Sequence, residues 1–301
     1  MTIAPVVLFV YRRPIHTEAV ITSLLKNKLA KKTDLIIYSD AAKLVEHEEG
    51  VNSVREFIKK ISGFNSVSIL YRESNYGLCK SIVQGVTEQL QINKQVIVLE
   101  DDLVVSKNFL DYMNFFLNLY QDDEAVMSIH GYVYPSIAPY PNTFFIKGAD
   151  CWGWGTWRRA WKHYINDPEL LLREIKKNKL ESKFDMDNSY PFTKMLKECV
   201  LGKNDSWAIR WYASSFLRNG FTLYPSKTLV DNIGFDGSGT HGGMLDKKCV
   251  QLEEFSFLRE KIEIVESDLG KKLMKKSMRV TYGLSFYQKL KRFLKRCLSI
   301  L

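Results

Sequence analysis

Gln95-Val-Ile-Val-Leu-Glu-Asp-Asp-Leu-Val-Val105 carries an apolar run straight into three consecutive carboxylates, Glu100, Asp101 and Asp102. A continuous apolar run of this length reads as a strand buried on both faces, as in parallel sheets. Gathering three acids at its C-terminal end is unfavourable, because like charges repel and burial penalises an ionised carboxylate. A divalent cation relieves both costs. Oxygen donors suit Mg²⁺ or Mn²⁺, which commonly sit between a carboxylate and a substrate phosphate. The run points to a metal-bridged phosphate site at a strand end. The competing reading is a solvated acidic turn capping a helix that starts near Ser106, since acids are favoured there anyway.

Upstream, strand-like segments at Val6–Val10, Leu35–Tyr38, Val67–Tyr71 and Val96–Leu99 alternate with helical patterns near His16–Lys26, Val51–Ile61 and Leu78–Gln91. Such alternation predicts an α/β fold with a mainly parallel sheet and right-handed crossovers. Ligands of these sheets bind beyond the carboxyl ends of the strands. The residues after the four strands are Tyr11-Arg-Arg-Pro14, Ser39-Asp40, Arg72-Glu-Ser-Asn75 and Glu100-Asp-Asp102. All four clusters are polar and are expected on one edge.

Downstream, Phe109–Tyr120 reads as an amphipathic helix, and Val126–His130 and Thr143–Lys147 as short strands. Asp150-Cys-Trp-Gly-Trp-Gly-Thr-Trp-Arg-Arg-Ala-Trp161 is rich in tryptophan. Residues Asp167–Lys203 are charged and helical, with a break at Tyr190-Pro191. Trp207–Phe216 is a further helix and Phe221–Tyr224 a strand, followed by the glycine-rich Ile233–Gly243.

With 301 residues and 46% hydrophobic content, the chain can bury one large core or two smaller ones. Its apolar stretches are too short to span a bilayer. No basic region precedes an apolar signal core, which argues against export. Five scattered cysteines, Cys79, Cys151, Cys199, Cys249 and Cys297, fit neither a disulfide framework nor a zinc spacing, so a reducing cytoplasm is expected.

The net charge of +9 is not evenly spread. No acid follows Asp268, and 10 of the 43 basic residues do, leaving 33 basic against 34 acidic residues before that point. A balanced body argues against a nucleic-acid partner. In the tail, Phe286, Leu290, Phe293, Leu294, Cys297, Leu298 and Leu301 recur at helical spacing, with Lys289, Lys291, Arg292, Lys295 and Arg296 between them. A basic amphipathic helix of this kind lies on an anionic membrane surface. The alternative is a helix docked on the body or on a partner. The expected location is cytoplasmic and peripheral, on the inner face of the cell membrane.

Several residues could carry chemistry. Asp102 is the first choice for a direct metal ligand. Glu100 and Asp101 suit sugar or ribose hydroxyls, which carboxylates accept well. Asp40 could accept from a nucleobase N–H, and Arg13 could stack on or bond to the base. Asn75-Tyr-Gly-Leu-Cys-Lys80 opens a helix after a strand, a setting that favours anions, with Lys80 adding a charge. It lacks the spacing of a phosphate-cradling P-loop. His241, among Gly237, Gly239, Gly242 and Gly243, could ligate the metal or touch a diphosphate. Asp205 is a helix N-cap by default, or a general base partly desolvated by Trp207. Trp152, Trp154, Trp157 and Trp161 could form a sugar-stacking platform or belong to the core.

On Val98-Leu-Glu-Asp-Asp-Leu103, Phe9-Val-Tyr-Arg-Arg-Pro14, Ile36-Ile-Tyr-Ser-Asp40, Trp152-Gly-Trp-Gly155, Asp205-Ser-Trp207 and Gly234–His241, the chain resembles glycosyltransferases of the GT-A fold. More narrowly, it is similar to the group around animal N-acetylglucosaminyltransferase I and its bacterial relatives in capsule and lipopolysaccharide gene clusters. The matches fall in family order over about residues 4–243. The resemblance implies a Rossmann-like catalytic domain over 1–245, with a nucleotide-sugar half near 1–105 and an acceptor half near 106–245. A basic helical tail, 246–301, follows.

It further implies an inverting transferase using a nucleotide sugar, most simply a UDP-sugar, and Mn²⁺ or Mg²⁺. The implied acceptor is a saccharide or a polyprenyl-linked oligosaccharide of a bacterial surface polysaccharide. Asp102 would hold the metal, Arg13 and Asp40 the nucleotide, and the Asp205 segment the base. The animal enzyme has paired aspartates where this chain has Asp205-Ser206, which makes Asp150 a rival base. The alternatives are a nucleotidyltransferase that makes sugar nucleotides, and a non-catalytic, membrane-associated sugar-binding protein.

Overall fold

The computed structural model describes residues 2–237, 252 and 256–280. The strands are β1 (Val6–Val10), β2 (Asp34–Ser39), β3 (Ser66–Tyr71), β4 (Gln95–Glu100), β5 (Leu103–Val105), β6 (Val126–His130), β7 (Thr143–Ile146), β8 (Trp154–Trp157), β9 (Phe221–Pro225) and β10 (Val230–Asn232). The helices are α1 (Pro14–Leu25), α2 (Glu48–Ile58), α3 (Gly77–Ile92), α4 (Phe109–Leu119), α5 (Arg158–Trp161), α6 (Pro168–Lys177), α7 (Glu181–Phe184), α8 (Phe192–Val200), α9 (Trp207–Leu217) and α10, residues 268–280.

Eight strands form one sheet in the order β3-β2-β1-β4-β8-β6-β9-β7, and β5 pairs with β10 in a small second sheet. β1 pairs in parallel with both β2 and β4, and β2 with β3. The α/β class read from the alternating pattern holds, and the four polar clusters leave the sheet at one edge. Every residue of β1 is buried, which is why this strand is apolar throughout instead of alternating. β3 alternates in exposure, as suits the outermost strand. Pro14 opens α1 at a position where its missing N–H costs nothing.

β8 escaped the sequence reading. It runs antiparallel between β4 and β6, pairing Val98 with Trp154 and His130 with Trp154. Gly153, at φ +64°, turns the chain into this strand, a conformation other residues rarely adopt. Trp154 stacks on Trp207 at 5.3 Å and lies 6.1 Å from Trp211. Trp154, Trp157, Trp161, Trp207 and Trp211 are all buried, so the tryptophan-rich stretch builds core. Of the four tryptophans between 152 and 161, Trp152 alone stays partly exposed.

The expected boundary at 245/246 lies outside the described residues, as do 281–301 with the amphipathic tail pattern. Residues 256–280, however, are not separate from the body. Phe257 joins the main core against Tyr112 and Phe116. Ser267 N donates to Phe145 O at 2.9 Å. Leu273, Met274 and Met278 pack with Phe144, Ile146 and Tyr224. Charge alone had marked this segment as tail, and its apolar stripe is what ties it down. No helix among the described residues is long and apolar enough to cross a membrane.

Candidate active site

The acid triplet sits where β4 ends, and Arg13 reaches it from the three-residue connection between β1 and α1. Arg13 Nη2 donates to Asp102 Oδ2 at 2.8 Å and to Asp101 Oδ1. Tyr11 N also points at Asp101, 3.4 Å from Oδ2. Arg13 Nη1 is buried and has no hydrogen-bond partner. Burial, then Asp102 and Asp101, push Glu100 up to about 8, against the pull of Arg13. Burial likewise raises Asp101 above the usual carboxylate range, with Arg13 opposing. One guanidinium therefore faces three acids and does not neutralise them.

The first residues of the glycine-rich stretch lie directly over this pair. Ile233 N donates to Asp102 O at 2.9 Å. A Cβ on Gly234 would overlap Asp102 Oδ2 and stand 2.9 Å from Arg13 Nη1, so a side chain has no room there. His16 Nε2 and Asp236 Oδ2 are 3.2 Å apart. His241 lies outside the described residues.

The β4–β8 pairing carries the chain just before β8 past the triplet. The Cys151 thiol is raised well above its ordinary range by burial and then by the charges of Glu100, Asp150 and Asp102. Asp150 is held on three sides. Tyr134 and Tyr224 hydroxyls donate to its two oxygens at 2.8 and 3.1 Å, and its backbone N–H donates to His130 Nε2 at 3.1 Å. Burial raises the Asp150 carboxyl, and the two tyrosine bonds oppose that rise. Burial drives His130 down to about 3, so it stays neutral and accepts. His130 ends β6 and Tyr224 lies on β9; these two strands are parallel, and the antiparallel β8 between β6 and β4 makes both run with β4, which sets this group on the same sheet edge.

The other expected residues gather at the start of α3. Asp40 accepts from Tyr76 N at 2.9 Å, Gly77 N at 2.9 Å and Asn75 Nδ2 at 3.1 Å. Its oxygens thus cap α3. Asn75 also donates to Ala41 O at 2.7 Å. Lys80 Nζ lies 4.0 Å from the centre of the Tyr76 ring. Asp205 pairs with Arg210, and its side chain is 75% exposed. The expected desolvation by Trp207 is absent, because that indole turns into the core against Trp154. Ser206, not Asp205, caps α9, accepting from Ile209 N at 3.3 Å.

The structure thus brings together Arg13, Glu100, Asp101 and Asp102, sets Asp150 among Tyr134, Tyr224 and His130, and gathers Asp40, Asn75 and Lys80 in a third group. Tyr134, Tyr224 and His130 escaped the sequence reading. Each lies far along the chain from the triplet, and no local pattern marks a tyrosine as a carboxylate's partner. The donors at the triplet are all oxygens, which suits a hard divalent cation. Among the described residues no three His, Cys, Asp or Glu side chains converge to hold an ion. A bound cation would take its remaining ligands from substrate and water, as Mg²⁺-type sites usually do.

No protein-family model matches the chain, and no curated protein matches it. Among solved structures it is similar to S. aureus TarS, at 13% identity and a TM-score of 0.42, covering 75% of this chain and 36% of TarS. A mannosyltransferase from Pyrobaculum calidifontis, in complex with GDP-Man and Mn²⁺, matches at 10% identity and a TM-score of 0.38, covering 71% of this chain and 74% of the other. A UDP-glucose pyrophosphorylase matches at 14% identity and a TM-score of 0.37, covering 75% of this chain and 91% of the other. These are distant likenesses, all with TM-scores below 0.5, and the chain spans about a third of TarS.

Proposed function

We propose that the chain is a metal-dependent glycosyltransferase acting on a nucleotide sugar, with inversion at the anomeric carbon. The observation that carries this reading is the Glu100-Asp101-Asp102 triplet at the end of β4, held by Arg13 and roofed by Gly234. Asp102 would hold the cation. When bound, the cation neutralises charge developing on the departing nucleoside diphosphate. Arg13 fixes Asp101 and Asp102 and keeps Nη1 free for an acceptor oxygen of the donor. The donor is a UDP-sugar and the acceptor a saccharide or lipid-linked saccharide, on the resemblance described above.

Asp150 suits the base better than Asp205. A general base works best with a pKa brought toward the operating pH. Burial moves Asp150 that way, and Tyr134 and Tyr224 fix its orientation. Asp205 instead faces solvent and is engaged by Arg210. Asp150 takes the proton from the acceptor hydroxyl as that oxygen attacks the anomeric carbon.

The nucleotidyltransferase alternative wants a glycine-rich loop after the first strand. Only Tyr11, Arg12 and Arg13 separate β1 from α1, which leaves no such loop. The test is product analysis with Mn²⁺ and a panel of UDP-sugars. Release of UDP supports the reading. Release of pyrophosphate from a nucleoside triphosphate and a sugar phosphate would replace it.

A further inference from the structure

We propose that the outward face of α10 docks the protein on an anionic lipid surface. α10 divides into three arcs. Gly270, Leu273, Met274 and Met278 are buried against the body. Lys271 and Lys275 flank them and are neutralised, with Nζ 2.9 Å from Glu266 Oε2 and 2.8 Å from Asp187 Oδ2 respectively. The remaining arc carries Asp268, Leu269, Lys272, Lys276, Arg279 and Val280, all exposed, three cations against one acid. At 3.6 residues per turn these six fall within about 120° of the helix circumference. Among the described residues no ion pair engages Lys272, Lys276 or Arg279.

Leu269 and Val280 are 51% and 56% exposed, one at each end of a row of three unpaired cations. Cations flanked by exposed apolar side chains match anionic headgroups above acyl chains. The sequence after Val280 continues acid-free, with basic and apolar residues only thinly interrupted. A nucleic acid would satisfy the cations and leave Leu269 and Val280 without a partner.

The inner face of the same helix reaches the site. Met274 and Met278 line a cavity of about 10 Å³ together with Asp150 and Tyr224. A helix with lipid on its outer face and Asp150 across a cavity from its inner face suits a transferase whose acceptor saccharide is lipid-linked. This last step rests on the transferase reading; attachment to lipid does not.

The full chain is tested by co-sedimentation with phosphatidylcholine vesicles, with and without phosphatidylglycerol. Capture is expected only on the anionic vesicles and is expected to weaken as salt rises. Each basic residue near an anionic leaflet is worth about fivefold in binding, so K272Q/K276Q/R279Q should bind about 100-fold more weakly. Undiminished capture of that variant overturns the proposal. So does equal capture by phosphatidylcholine alone, or tighter binding to duplex RNA than to the anionic vesicles. UDP-sugar hydrolysis without vesicles is read separately. Salt-sensitive capture by a protein that hydrolyses no nucleotide sugar would uphold the docking face and reject the transferase.

Discussion

Arg13 Nη2 stands 2.8 Å from Asp102 Oδ2 while also bonding Asp101, so one guanidinium holds two of the three acids at the end of β4. Both partners are largely buried, and removing one side of such a pair strands the other's charge. Arg13→Ala is therefore expected to cost about 3 kcal/mol of stability. Saturating Mn²⁺ should restore part of it, because a ligand that binds only the folded state stabilises it. Urea unfolding with and without Mn²⁺ measures both effects, and a variant as stable as wild type without metal would contradict the pairing's importance.

Glu100 makes stability depend on pH. Its folded value of about 8 lies above its ordinary value of 4.5, so the folded state holds the proton more tightly. The contribution is fully present below about 4.5 and is lost as pH rises toward 8. Glu100→Gln removes this dependence. The melting temperature of the variant should gain on that of wild type steadily between those two pH values and level off above them. A constant difference across the range would show that Glu100 ionises normally.

The two candidate bases separate by substitution. Asp150→Asn should lower transfer at least 100-fold, the usual scale of general-base catalysis. Asp205→Asn should stay within about tenfold of wild type, since its exposed carboxylate is engaged by Arg210 and the asparagine keeps an oxygen to accept that bond. Tyr224→Phe adds a readout that simple misfolding does not give. The Tyr224 bond holds the Asp150 carboxyl down, so removing it should shift the acid limb of the kcat/KM profile to higher pH. An unmoved limb would put the base elsewhere.

Gly234→Ala tests the roof over the triplet. Its Cβ must push against Asp102 Oδ2, which Arg13 already fixes. Activity is expected to fall more than tenfold with only a modest change in melting temperature, because the strain falls on the site and not on the core. Wild-type turnover would mean the loop stands clear of the acids.

Much of this arrangement was legible before any coordinates. The fully apolar Val6–Val10 and Val96–Leu99 runs announced strands covered on both faces, and strand direction then forced Arg13, Asp40, Asn75 and Asp102 to one edge. β8 was not legible, because Trp154-Gly-Thr-Trp157 shows no clear alternation and its place depends on pairing with β4. Asp150 was readable only as a rival, since its tyrosine partners are 16 and 74 residues away. Asp40 was misleading in another way. A carboxylate after a strand can face a ligand, yet here the unsatisfied N–H groups opening α3 engage it first. Lys271 and Lys275 looked like tail charges because their partners Glu266 and Asp187 meet them only after folding.

The cation at Asp102 is most directly tested by titrating Mn²⁺ into the protein with UDP present and following free Mn²⁺ by electron paramagnetic resonance. Wild type is expected to remove the free-ion signal, and Asp102→Ala to leave it at the level of UDP alone. Equal Mn²⁺ uptake by the two proteins would contradict a metal site at the end of β4.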